Sequence, residues 1–257
     1  GGQVIKNVAG YDVSRLLAGS MGLLGVVCEV SLKVLPVAVA TATLRFEHDE
    51  ASALKQLNSW GGQPLPVNAS AWWDGMLVLR LSGAAAAVQS AVQKLGGEVV
   101  DPALAAIFWT GLRDQTDEFF TKAQCAIDAG ATLWRLAMPQ TAAPMALAGE
   151  HLVEWGGAQR WVVTTTPAAV MREAAARGGG HATVFRSGRP GSAGTTAGTT
   201  AGKTAGITAA TTAGITAGID GPRFAPLSAP LMRIHRELKT AFDPDRLFNP
   251  GRLYAGL

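Results

Sequence analysis

The order in which the hydrophobic periodicity changes between residues 41 and 100 constrains the fold of this chain more than any other feature. Residues 41–47 alternate apolar and polar, the period of a half-buried strand. Residues 50–60 switch to helical spacing, with Ala53, Leu54 and Leu57 on one side. Alternation returns over 67–73 and 76–81. Between those runs stands Asp74-Gly75, two residues that tolerate the positive φ of a tight hairpin turn. Residues 84–95 are helical again and stop at Gly96-Gly97, and 98–100 form a short strand.

That order, βαββαβ, is the ferredoxin-like unit. A weaker copy follows. Strands are expected at 132–138, 151–155, 158–165 and 181–186, with possible helix at 141–148 and a helix opened by Pro167 and running to Arg177. Two such units side by side predict one continuous antiparallel sheet covered on one face by helices. Residues 103–129 between them read as helix with a loop. The bulky pairs Phe108-Trp109 and Phe119-Phe120 there suit a core better than a ligand stack.

Outside this region the chain changes character. Residues 26–34 read as a strand ended by Pro36. Residues 193–220 are tetrads of the Ala-Gly-Thr-Thr type, which offer no apolar face for stacking and few helix formers, so they read as an expanded, disordered loop. Within them, Gly198 to Thr204 imitates a phosphate-binding loop, but the spacing is one residue short and no strand precedes it. Residues 231–242 form a helix with Leu231, Ile234, Leu238 and Phe242 on one side, followed by a compact turn-rich tail.

Charge and cysteine content exclude several functions. Lys and Arg number 22 against 19 Asp and Glu, without long basic runs, so no nucleic-acid partner is expected. Cys28 and Cys125 make neither a disulfide framework nor a metal quartet, and each is expected to be a small buried hydrophobe. No 18-residue uncharged apolar run and no leader stand out, which suggests a cytoplasmic protein, with peripheral attachment to the inner membrane through partners as a further option.

Chemistry concentrates at the two ends. Gly19, Gly22 and Gly25 are spaced so that backbone N–H groups could approach a diphosphate or a flavin edge, and the same spacing also serves turns and packing. The longer string is more specific: Asn7, Gly10, Tyr11, Asp12, Leu16, Gly19, Ser20, Gly22, Leu24, Gly25 and Val26 fit N-x-x-G-Y-D-x-x-x-L-x-x-G-S-x-G-x-L-G-V. It resembles the closing segment of the FAD domain of the vanillyl-alcohol-oxidase family, the PCMH-type FAD-binding proteins. Phe248-Asn249-Pro250-Gly251-Arg252 resembles that family's C-terminal F-N-P-G-K/R signature. Within the family the likeness is to the FAD-binding subunits of bacterial glycolate oxidases, and it extends to Val153-Glu154-Trp155-Gly156-Gly157-Ala158, to Gly179-Gly180-His181-Ala182-Thr183 and to residues 224–231.

The resemblance implies an α+β fold. Residues 1–36 would be the C-terminal remnant of a PCMH-type FAD-binding domain, the front half of which is expected to be missing. Residues 37–192 with 221–230 would be a ferredoxin-like antiparallel cap, 193–220 an insertion, and 231–257 a helix and tail returning to the flavin domain. It implies FAD as cofactor, faced by Asn7, Gly10, Tyr11, Gly19, Ser20, Gly22, Gly25, Val26, Asn249 and Arg252. Arg252 would place positive charge where the reduced flavin becomes anionic. The implied activity is oxidation of glycolate, a small 2-hydroxy acid, to glyoxylate, with a sister flavin subunit and an iron–sulfur subunit as partners and electrons passing on to quinone. Related dehydrogenases carry an H-x-G-D-G-N-x-H string, where the corresponding strand here offers only Gly179-Gly180-His181-Ala182-Thr183, so His181 is the candidate catalytic base and no metal set is expected. Two alternatives stay open: a non-catalytic assembly subunit of the same complex, and a flavin dehydrogenase for another acid of the D-lactate type.

Overall fold

The computed structural model describes residues 12–188 and 222–257. The repeat tract, the loop-like string at 198–204, and Asn7, Gly10 and Tyr11 lie outside the described residues. The described chain divides into two compact units, one of residues 12–34 and 222–257, the other of residues 35–188.

In chain order the elements open with the short helix α1 (Val13–Leu17) of the first unit. The second unit follows with β1 (Ala40–Glu47), α2 (Glu50–Gly61), β2 (Val67–Trp73), β3 (Met76–Gly83), α3 (Ala85–Leu95) and β4 (Glu98–Val99). Helices α4 (Pro102–Asp114) and α5 (Glu118–Asp128) come next, then β5 (Thr132–Ala137), β6 (Glu150–Glu154), β7 (Gln159–Thr164), α6 (Ala168–Arg177) and β8 (His181–Ser187). The first unit closes with α7 (Ala229–Phe242).

The eight strands of the described residues form one antiparallel sheet in the order β4-β1-β3-β2-β6-β7-β5-β8. The second half repeats the first in mirror order about the β2–β6 pair, joined by Ala71 opposite Glu154, Trp72 opposite Val153 and Trp73 opposite Leu152. The continuous sheet expected from the two periodic repeats is therefore present, and the overall class is α+β. Local chemistry explains the element ends. Asp74 and Gly75 sit at φ 47° and 79°, the hairpin conformation their sequence favours. Aspartates cap three helices of the second unit: Asp49 accepts from Ser52 N at 2.7 Å, Asp101 from Ala103 N at 2.9 Å, and Asp117 from Phe120 N at 3.2 Å.

Helices cover both faces, not one. On one face α2 and α3 bury Ala53, Leu57, Trp60, Val88 and Ala91 against Leu44, Leu77, Leu79 and Leu81. Helix α6 adds Met171 and Ala175 against Trp134, Leu136 and Val162. The register carries that face across the join, since Trp72 opposes Val153 and Val153 opposes Arg160, two residues from Val162. On the other face α5 packs Phe119, Phe120, Ala123 and Ile127 against Leu133, Leu152, Trp161 and Val163. The α4–α5 hairpin crosses over because these inward-alternating residues of β5 to β7 are as apolar as the opposite set. The pair Phe119-Phe120 is core as its bulk suggested, whereas Phe108 and Trp109 are only partly buried.

Three local expectations are corrected. Residues 141–148 are not helical. Pro144 interrupts that stretch, and Arg160 gathers two of its carbonyls instead: Nη1 donates to Ala143 O at 2.7 Å and Nη2 to Ala142 O, while Nε donates to Gly157 O at 3.2 Å. Burial pulls the pKa of this guanidinium down, opposed by the charge of Glu50, and three carbonyls accept its hydrogen bonds. Residues 26–34 form no strand and pair with no described strand, because a strand needs a ladder partner as well as an alternating sequence. Both cysteines are exposed. On α5, Cys125 lies two residues from Ala123 and two from Ile127, which turns it away from the buried stripe.

The β6–β7 turn depends on Gly157, at φ 101°, where an added Cβ would lie 2.7 Å from Leu54 Cδ2 and 3.0 Å from Gln140 O. Gly157→Ala is expected to cost about 1–3 kcal/mol of stability, read as a lowered denaturation midpoint with unchanged slope. An unchanged midpoint would show that the turn relaxes freely.

Candidate functional site

The first unit brings the two sequence-distant motifs together. Asp12 caps α1 through Arg15 N at 3.2 Å, and the chain then turns twice, with Ser20 N bonded to Leu17 O at 3.1 Å and Leu23 N to Ser20 O at 3.0 Å. Gly19, Met21, Gly22 and Gly25 take φ of 80°, 51°, 74° and 153°. A Cβ at Gly19 or Gly25 would meet no atom of the described residues within 4 Å, so among these residues open space borders both. A Cβ at Gly22 would lie 2.7 Å from Asn249 Nδ2, so this glycine is where the tail closes on the turn. Asn249 donates that amide to Met21 O at 2.7 Å.

A buried clasp holds the two motifs in place, and sequence reasoning missed it. Lys239 is 1% exposed, near the end of a helix whose apolar residues Leu231, Ile234 and Phe242 are exposed. Its Nζ donates to Leu23 O at 2.8 Å, to Phe248 O at 2.7 Å and to the carboxylate of Asp243. Asp243 also accepts from Leu247 N at 3.0 Å and Phe248 N at 2.9 Å. Burial opposes ionisation of Asp243, but the bonds from Lys239, Phe248 and Leu247 outweigh it and hold its pKa below the usual carboxylate value. One ammonium thus ties α7, the glycine turn and the tail. The available signal was the Lys239–Asp243 spacing of one helical turn, which ordinarily marks a solvated pair.

The other predicted site residues fall as follows. Gly19, Ser20, Gly22, Gly25, Val26, Asn249 and Arg252 all belong to this unit. Val26 is exposed, and Ser20 forms part of the turn. The Arg252 backbone N–H donates to Asn249 O at 3.2 Å, and its guanidinium has no carboxylate partner among the described residues. His181 belongs to the other unit, at the exposed start of β8 opposite Ala137. Among the described residues no three His, Cys, Asp or Glu side chains gather as a metal-ligand set, and no helix is long and apolar enough to cross a membrane.

An antiparallel α+β sheet unit, joined in one chain to a glycine turn closed by an Asn-Pro-Gly-Arg tail, is the class of protein that the fold and site define. Over its whole length the chain is similar to glycolate oxidase subunit GlcE of Escherichia coli (strain K12), with 40% identity over 257 residues. Those residues are 100% of this chain and 61% of that subunit, so the chain spans about three fifths of the relative's length. A shorter stretch of 56 residues, 22% of this chain, is 41% identical to 12% of glycolate oxidase subunit GlcD of Bacillus subtilis (strain 168). No family model matches the chain.

Proposed function

We propose that this chain is part of an FAD-binding subunit of a glycolate oxidase, oxidising glycolate to glyoxylate in a complex with a sister flavin subunit and an iron–sulfur subunit. The observation that carries the reading is the meeting of the 19–25 turn and the 248–252 tail, in a chain 40% identical throughout to GlcE. In this reading the sheet unit is a ferredoxin-like cap and the first unit is one wall of a PCMH-type flavin site.

The residues present fit the cofactor. Open space at Gly19 and Gly25 admits a ligand where a side chain would stand. Arg252, without a carboxylate partner among the described residues, supplies positive charge for an anionic group. Gly19, Ser20, Gly22, Gly25 and Val26 would line one side, with Asn249 and Arg252 on the other and Asn7, Gly10 and Tyr11 joining from the preceding segment. FAD, when bound, supplies a hydride acceptor. The chain's own contribution is to hold backbone donors and one guanidinium in fixed positions through the Lys239 clasp. Removal of the hydroxyl proton needs a base, for which this chain offers His181; its exposure, without a fixing partner among the described residues, suits a minor role, with the fuller catalytic site in the sister subunit.

A chimera in which this chain replaces the matching region of the E. coli GlcE subunit tests the reading. Co-produced with the rest of that complex, it is expected to restore glycolate-dependent dye reduction, and His181→Ala in the chimera to lower turnover by less than about tenfold, short of the roughly 10²–10⁴-fold loss of a general base. Failure of an assembled, flavin-loaded complex to reduce dye would favour the assembly-subunit alternative. A larger loss with intact flavin would make His181 the base.

A further inference from the structure

A cleft of about 760 Å³ opens in the second unit between the sheet and α4, within the range of small-molecule sites. Thr43 and Arg80, opposite each other on β1 and β3, form part of its floor. From α4, Trp109 donates Nε1–H to Thr43 Oγ1 at 3.0 Å, and the Arg80 guanidinium lies over its ring, 5.0 Å from the centroid. Arg80 Nε donates to Asn68 Oδ1 at 2.6 Å. Its two η nitrogens have no acceptor among the described residues, and no carboxylate pairs with it. The contrast with Arg45, Arg113 and Arg233 is direct, since each of those pairs with an Asp or Glu. Partial burial pulls the pKa of Arg80 down, yet a guanidinium remains charged. Glu154 also borders the cleft, but its Oε2 is occupied by Trp161 Nε1 at 2.5 Å and Gln159 Nε2 at 3.1 Å.

The rim supplies a second, independent observation. Trp155 is 67% exposed and its backbone sits at φ 53°, a conformation that bulky residues rarely adopt. A strained backbone that keeps an indole in water beside an apolar-walled cleft is a feature expected of ligand sites.

We propose that this cleft binds an organic acid whose carboxylate takes the two free η nitrogens of Arg80 in bidentate fashion and whose apolar body lies among Trp109, Leu112 and Trp155. The volume is far larger than a two-carbon acid fills, so the ligand is bulkier than glycolate. All of these residues belong to the second unit, and the proposal stands whether or not the flavin reading does.

Phenylacetate titrated into the full chain, followed by the indole N–H resonances of Trp109 and Trp155, is the test. A saturable shift is expected, weakened by about tenfold or more in Arg80→Gln. In the unaltered chain, phenylacetamide and glycolate are each expected to bind correspondingly more weakly than phenylacetate, a comparison that holds even if Arg80→Gln misfolds. Absence of a saturable shift, or equal affinity for acid and amide, or an unchanged affinity in a folded Arg80→Gln variant overturns the proposal. Glycolate binding as tightly as phenylacetate overturns the apolar half of it.

Discussion

Lys239→Met is expected to open the first unit, with the amides of Leu247 and Phe248 losing protection from hydrogen exchange by about a hundredfold or more. Methionine matches the length of lysine and is a good helix former, so α7 itself should persist. What fails is the clasp. Without the ammonium, the buried Asp243 carboxylate keeps only the N–H bonds of Leu247 and Phe248, and Leu23 O and Phe248 O lose their donor. Breaking the pair on one side leaves the Asp243 charge without its counter-ion, which is strongly destabilising. The pH dependence follows from the lowered pKa of Asp243. A carboxylate whose native pKa lies below its unfolded value contributes stability that is present above about pH 4 and lost as pH falls through the native value. The same two amides should therefore lose protection in acid, and in Asp243→Asn that acid limb should be absent. Protection in Lys239→Met equal to that of the unaltered chain would reduce the clasp to an incidental contact.

Gly22→Val carries the next largest effect. At φ 74° a β-branched residue is strained by about 1–3 kcal/mol. The new Cβ also displaces the Asn249 amide, which swings away and gives up its bond to Met21 O, worth about 1 kcal/mol. A loss of about 2–4 kcal/mol is expected in the first unit, against about 1 kcal/mol for Asn249→Ala, which removes the bond and leaves the backbone unstrained. Local exchange at Leu23 N–H separates the two. Equal effects of both variants would mean that the positive φ is relieved by a local rearrangement and that only the Asn249 bond matters.

Legibility in the sequence followed how local the cause was. Strands β1 to β4 and their hairpin were readable because alternation, Asp74-Gly75 and Gly96-Gly97 act within a few residues. The stretch at 141–148 was misread because the guanidinium that organises it comes from Arg160, on a later strand. Residues 26–34 have strand composition, but pairing is a property of two segments. The face chosen by α4 and α5 depended on which side of β5 to β7 was already covered, which alternation alone leaves undecided. At the site, the glycine turn and the Asn-Pro-Gly-Arg tail are visible as motifs, whereas Lys239 and Asp243 offer only the spacing of one helical turn, which by itself does not mark a buried clasp. Trp109 stands out in the sequence only as a bulky residue suited to a core, and nothing there links it to Arg80, 29 positions away.

The central claim, that the first unit forms a wall of a flavin site held by Lys239, is tested most directly by the FAD content of the chimera with E. coli GlcE. Purified unaltered, it is expected to be yellow with stoichiometric FAD, while Lys239→Met and Gly22→Val, produced folded in their sheet unit, should lose most of it. A colourless chimera that nevertheless folds, or full flavin retention in both variants, would contradict the account.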